Sequence, residues 1–195
     1  MQETTKTKKM NNKILITISL VFVVLFSTTQ LQAQLYKCSE GTVSFFSEAP
    51  VENIDAKSKS INSFINTDAR TIAFVIPVSS FVFKKALMQE HFNEKYMESE
   101  KFPMLKFSGT INEPVDFTKE GVYKVTATGK LTIHGVENQV TEQGTITIKN
   151  STIQLTTEFM VALKDYKIEI PKLLFQNIAE TISVKLIGVY TPYKK

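Results

Sequence analysis

The 195-residue chain has one cysteine, no tryptophan, two histidines, seven glycines and six prolines. A lone Cys38 excludes an intrachain disulfide framework, so burial of apolar surface must hold the fold together. In an exported chain it leaves open pairing with a second copy, hence a homodimer; the sequence does not decide the oligomeric state. Large residues (Tyr36-Lys37) precede Cys38, where lipid attachment to a bacterial cysteine requires small ones, so we expect a buried thiol without a lipid. Two histidines are few for a metal centre. His91 and Glu94 lie three apart on a predicted helix, but His-x-x-Glu is not the spaced His-Glu-x-x-His pattern and a third ligand is wanting. No Gly-x-Ser-x-Gly elbow and no phosphate-cradling glycine loop occurs, and Cys38 has no neighbouring base. The expectation is therefore a protein that is not an enzyme, with no metal, no catalytic residue and no cofactor other than a bound lipid.

Charge points the same way. The whole chain carries +4 and residues 1–33 hold four lysines against one glutamate, so residues 34–195 retain only +1. No basic cluster interleaved with aromatics follows, which argues against nucleic acid. Lys6, Lys8, Lys9 and Lys13 precede an uncharged stretch from Ile14 to Phe26, and Leu31-Gln32-Ala33 then offers a small residue at the exit. These are the parts of a secretory signal peptide, and the apolar stretch falls short of the roughly 20 residues of a membrane span. Residues 1–33 are read as a signal peptide cleaved near Ala33, and residues 34–195 as one domain without an integral membrane span. Crossing one membrane leaves both a periplasmic and a secreted destination open.

What the mature part has in abundance is alternation. Val43 and Phe45 share one face of a segment, as do Ile72, Phe74, Ile76 and Val78. Leu105, Phe107 and Ile111 follow, and Tyr123, Val125, Ala127, Gly129, Leu131 and Ile133 alternate with polar residues. The pattern recurs through Ile146 and Ile148, through Ile153 to Leu163 and through Ile182 to Tyr190. Period-two patterning of this length predicts antiparallel strands with one dry and one wet face, closed as a sandwich or barrel. A barrel of about eight strands is either filled by side chains or holds one small ligand, and patterning does not choose. The inward small residues Gly109, Ala127 and Gly129 favour unfilled space. Residues 87–107 break the pattern and predict one amphipathic helix that runs into Phe102-Pro103 and returns to a strand. Asp165 to Pro171 reads as a loop folded over one barrel end or as an edge strand, and Leu173 to Ala179 as a short helical turn. His134 is expected to face outward.

Several spaced segments together resemble the YceI-like family of exported lipid- or polyisoprenoid-binding proteins. They are Gly41-Thr42-Val43-Ser44-Phe45, Ile54-Asp55-Ala56, Glu90-His91-Phe92, Lys101-Phe102-Pro103-Met104-Leu105-Lys106-Phe107 and Gly129-Lys130-Leu131-Thr132-Ile133-His134-Gly135-Val136. Met88-Gln89 stands where many members carry Arg-Asp, which weakens any transfer of head-group contacts. The resemblance implies an all-β fold, a lipocalin-like antiparallel β-barrel of about eight strands with one short amphipathic helix at its mouth. It also implies binding, sequestration or transport of an apolar lipid inside, a polyisoprenoid among the candidates. The alternative is a non-catalytic stress-response or protein-interaction module that uses the barrel as a scaffold. Candidate pocket residues are Phe45, Phe74, Ile76, Phe107, Tyr123, Val125, Leu131 and Phe159 on strands and Leu87, Phe92 and Tyr96 on the lid, with His91 at a polar rim. For each of them ordinary core packing is an equal explanation.

Overall fold

A computed structural model describes residues 35–171 and 178–193. The expected signal peptide, and most of the expected helical turn at 173–179, lie outside the described residues. The chain forms β1 (Leu35–Ser47), β2 (Ile54–Ser58), β3 (Asn62–Asn66), β4 (Thr71–Pro77) and the short β5 (Val82–Phe83). The helix α1 (Ala86–His91) follows, and then β6 (Met104–Ile111), β7 (Gly121–Ile133), β8 (Val136–Lys149), β9 (Thr152–Ala162) and β10 (Thr181–Pro192).

Ten strand segments make eight walls. Val43 of β1 lies opposite Ser58 and Leu35 lies opposite Asn66, two pairs on one antiparallel register line. β2 and β3 are therefore one strand interrupted at 59–61. Ser58 causes part of the break: its buried hydroxyl accepts the Ser60 amide at 3.0 Å and bonds the Ser80 hydroxyl at 2.6 Å. β5 continues the line of β4 after a turn at Val78–Ser80 and pairs with β2. The remaining strands form a meander, β4–β6–β7–β8–β9–β10, and β10 closes on β1. Closure carries a bulge between Cys38 and Glu40, a device that adds local twist where a sheet must curl onto itself. The result is a closed antiparallel eight-stranded barrel with no free edge along its ring.

Alternation decides which side chains enter, and the antiparallel meander decides at which end. At one end Tyr36, Ile65, Ile72, Ile111, Val125, Ile146, Ile153 and Tyr190 converge, all buried, in a solid core. The 112–120 connection covers that end, with Val115 and Phe117 packed on the core. Tyr190 is fully buried, and its phenol finds the Ser63 hydroxyl at 2.8 Å. Ser63 in turn donates to the Ala73 carbonyl at 2.8 Å, so the polar groups within this apolar layer are satisfied. Burial raises the Tyr190 phenol well above its ordinary range.

The longer excursions 78–103 and 163–180 both leave from the other end. There too is the two-residue turn His134–Gly135, with φ of +50° and +71°, as a type I′ hairpin requires.

Two expectations change here. The helix does not run through 87–107: it closes at His91, and Phe92–Tyr96 form one wider turn in which the Met97 amide reaches the Phe92 carbonyl at 2.9 Å. Nor do Gly109 and Gly129 leave a void. They face each other across β6 and β7, where a Cβ on Gly129 would stand 2.4 Å from the Ser108 carbonyl oxygen. The glycines let two backbones close up and belong to the filled end.

Candidate functional site

Between the solid core and the excursions lies a cavity of about 410 Å³, within the usual size range of small-ligand sites. Its walls are strand residues one or two pleats nearer the open end than the core: Val43 and Phe45 on β1, Phe74 and Ile76 on β4, and Leu105 on β6. Leu131 and Ile133 on β7, Phe159 and Val161 on β9, and Ile182, Val184 and Leu186 on β10 complete the ring. Leu163 and Ile168, from the turn Leu163–Tyr166 and the residues after it, close one side of the mouth. That segment is a loop and not an edge strand; Lys167 turns it with φ of +56°, and Asn138 holds it by donating to the Asp165 carbonyl at 2.8 Å.

The lid is an aromatic cluster. Phe92 stacks on Phe45 with ring centres 5.5 Å apart and 23° between planes, and meets Phe83 at 5.0 Å and Phe81 at 5.8 Å. Phe45 also meets Phe81 at 5.5 Å and Phe83 at 5.7 Å. Such pairs add roughly 0.5–1.5 kcal/mol each beyond simple burial. α1 itself buries no residue, so Phe92 is its anchor. The alternation in Phe81-Val82-Phe83 was the available signal for the two rings that sequence reasoning missed; their strand is only two residues long, too short to stand out.

Of the residues named from the sequence, Phe45, Phe74, Ile76, Leu87, Phe92, Tyr96, Leu131 and Phe159 line the cavity, and His91 stands among the lining residues on α1. Burial holds the Tyr96 phenol above its ordinary range. Phe107, Tyr123 and Val125 do not line it. They point inward, but Tyr123 and Val125 lie on the half of β7 nearer the filled end, and the Phe107 ring leans over Gly109 toward that end. Phe107 stacks behind Phe74 at 5.2 Å, Val125 is core, and the Tyr123 hydroxyl donates toward the carbonyls of Lys119 (3.2 Å) and Asp116 (3.4 Å) in the 112–120 connection.

Charged groups gather at the rim in pairs. The Lys85 ammonium pairs with Glu52, both lining residues, and Lys84 pairs with Asp55 at 2.7 Å. The Ser47 hydroxyl accepts the Ala179 amide at 2.9 Å. His134, expected outward, instead tucks under the lid's exit with its side chain 11% exposed. Its Nε2 lies 2.8 Å from Glu98 Oε2, its Nδ1 lies 3.2 Å from the Tyr166 carbonyl, and its ring meets Phe102 edge-on at 4.6 Å. It thereby ties three segments at the open end: the turn after the lid, the β7–β8 hairpin and the 163–166 turn. The hydrogen bond from His134, aided by Lys101, holds the Glu98 carboxyl below its ordinary range. Cys38 lies in the filled end, its thiol directed at the Glu40 carbonyl 3.3 Å away and pushed up by burial. Among the described residues no three His, Cys, Asp or Glu side chains converge as a metal site would require, and no helix is long and apolar enough to span a membrane.

Comparison with known proteins places this architecture. The family model described as a YceI-like domain matches residues 24–189. Among solved structures, a polyisoprenoid binding domain from Saccharophagus degradans, implicated in plant cell wall breakdown, superposes with a TM-score of 0.70 at 16% identity, covering 81% of this chain and 98% of that one. BcnA of Burkholderia cenocepacia gives 0.65 at 18% identity, over 76% of this chain and 95% of that one. The Campylobacter jejuni YCEI protein gives 0.60 at 15% identity, over 76% and 90%. At these identities the likeness is one of fold. No curated protein matches the sequence.

Proposed function

The chain belongs to the YceI-like family, and on that premise we propose that its barrel binds and sequesters the apolar tail of a lipid, an isoprenoid being the first candidate. The observation that carries the reading is the cavity itself: about 410 Å³ enclosed by aliphatic and aromatic side chains at one end of a barrel whose other end is solid. Such a site needs no reactive group to hold its guest. Moving hydrocarbon out of water gains roughly 0.8 kcal/mol per methylene, and walls already dry and packed lose little entropy on binding. The charged groups at the rim, Lys85 with Glu52 and Lys84 with Asp55, are engaged with each other, which supports equilibrium binding without chemical turnover. The similar fold of a polyisoprenoid binding domain supports the same class of guest, and the basic and then apolar leader supports an exported protein that works outside the cytoplasm.

The test is direct. Purified protein is extracted with organic solvent, and the extract is analysed by mass spectrometry alongside a delipidated sample titrated with a fluorescent hydrocarbon probe. A near-stoichiometric co-purifying lipid, or saturable probe uptake by the delipidated barrel, is the expected result. A protein that carries no lipid and takes up no probe would overturn the proposal.

A further inference from the structure

We infer that a guest of the cavity passes through the side of the barrel, between β8 and β9, and that residues 163–168 are the panel that shuts this seam. The inference rests on the reading above and names its doorway. Neighbouring walls are joined by ladders all round the ring, but the ladder between β8 and β9 runs only from Lys149–Thr152 to Gly144–Thr157. There the Thr157 hydroxyl donates to the Gln143 carbonyl at 2.6 Å, where a ladder would have a backbone amide. Beyond that level β8 still pairs with β7 and β9 still pairs with β10, yet the two no longer pair with each other. The split stands at the height of the cavity: Phe159 and Val161 of β9 line it, whereas no described residue of β8 does.

The residues of β8 account for the split. Its inward positions over the filled end are Gly144, Ile146 and Ile148, but beside the cavity they are Val136, Asn138, Val140 and Glu142. An amide and a carboxyl are costly against hydrocarbon unless they are hydrogen-bonded, and burial pushes the Glu142 carboxyl up. The 163–168 segment stands in as the wall. Tyr166 is buried with its phenol near Asn138 and Glu142, while Leu163 and Ile168 line the cavity.

Two hydrogen bonds, and no ladder, tie this panel to the β7–β8 side. Asn138 donates to the Asp165 carbonyl at 2.8 Å, and His134 Nδ1 lies 3.2 Å from the Tyr166 carbonyl. The panel's own turn is closed by the Lys167 amide on the Lys164 carbonyl and the Ile168 amide on the Leu163 carbonyl, both at 3.1 Å. It can therefore swing as a piece and keep those bonds. Glu137, Gln139 and Thr141 beside the seam are exposed, so water is at hand for the polar groups that opening uncovers. A guest leaving by the mouth must instead part the cluster of Phe45, Phe81, Phe83 and Phe92.

The experiment loads the full protein with diphenylhexatriene, a fluorescent hydrocarbon, and follows its release into excess phosphatidylcholine vesicles, with hydrogen exchange read in parallel. Asn138→Ala removes one of the two ties, and should speed both exchange at 163–168 and probe release about tenfold while exchange at 86–96 stays as it was. In a Cys38→Ser background, Asn138→Cys with Asp165→Cys staples the panel. The oxidised form should release the probe at least about tenfold more slowly than the same protein reduced, the lid being alike in both. Release at the wild-type rate from Asn138→Ala despite faster exchange at 163–168, or equal release from the oxidised and reduced staple, overturns the seam as the path. Exchange at 163–168 that ignores Asn138→Ala overturns the panel as a separate moving piece. A protein that takes up no diphenylhexatriene fails at the earlier step, the binding reading of the cavity, and the doorway falls with it.

Discussion

Replacing Phe92 by alanine should release the lid and leave the barrel standing. α1 has six residues and no buried side chain, and isolated helices below roughly 12–15 residues are marginal in water. Of the other apolar lining residues of α1, Leu87 is 61% exposed and Met88 only half-buried. What holds the segment down is the Phe92 ring against Phe45 (5.5 Å), Phe83 (5.0 Å) and Phe81 (5.8 Å). Three aromatic pairs of roughly 0.5–1.5 kcal/mol, discounted for sharing one ring, give a local opening that becomes about 2–3 kcal/mol easier. At 1.4 kcal/mol per decade, opening becomes about 30- to 150-fold more frequent. Hydrogen exchange read by mass spectrometry should show that acceleration in a peptide spanning 86–96. Peptides from β7 and β8, whose ladder runs without interruption from Gly121–Ile148 to Ile133–Val136, should be unchanged. Dissociation of a bound hydrocarbon should quicken with the lid. Unchanged exchange at 86–96, or equal acceleration everywhere, would refute the idea that one ring anchors a separate mobile unit.

Three further outcomes are expected. Tyr190→Phe should cost about 1 kcal/mol, whereas Ser63→Ala should cost about 2–3 kcal/mol, because it strands a buried phenol instead of removing it; urea unfolding measures both, and equal or reversed costs would show the pair is not bonded. Glu98→Gln should lower the melting temperature at neutral pH, because His134 and Lys101 hold the carboxyl below its ordinary range. A depressed carboxylate stabilises above its unfolded value and loses that stability as pH falls through the folded one, so the gap to wild type should shrink below about pH 4.3; a constant gap down to pH 2 would exclude the carboxylate as its source. Cys38, buried and with its thiol pushed up, should react with a maleimide at least about a hundredfold faster in denaturant than in the native protein, as a group reached only by unfolding does, and should not link native copies; comparable rates would contradict its burial.

Much of this molecule is written in period two. Strict alternation in β7, with Tyr123, Val125, Leu131 and Ile133 on one side, assigns those side chains to the interior before any neighbour is known, since successive residues of a strand point to opposite faces. It cannot say how far along the barrel axis an inward residue lies. That depth depends on register, and register depends on pairing with other strands. For this reason Leu131 reaches the cavity while Val125, six residues away on the same face, is core. Phe107 and Phe74 differ for another reason: directly paired across β4 and β6 they start at one level, but the Phe107 ring leans over Gly109 toward the filled end and backs the ring that lines the space.

Local composition also misleads where size and backbone spacing interact. Gly109 and Gly129 suggest emptiness in a one-dimensional reading, but opposed across two strands they bring backbones together. His134 suggests solvent because it ends an alternating strand at a turn. Its role comes from Glu98, thirty-six residues earlier, and Tyr166, thirty-two later, partners that only folding supplies.

The sequence by itself determined that the chain would form antiparallel strands with one dry face, and that a helical segment would interrupt them, because strand periodicity and helix-forming runs are local properties. Tertiary structure alone decided that the inside is half solid and half hollow. Whether opposing side chains meet or leave a gap depends on the distance between walls, which is set by barrel closure, by a bulge at Cys38 and by two facing glycines, and by no residue taken singly.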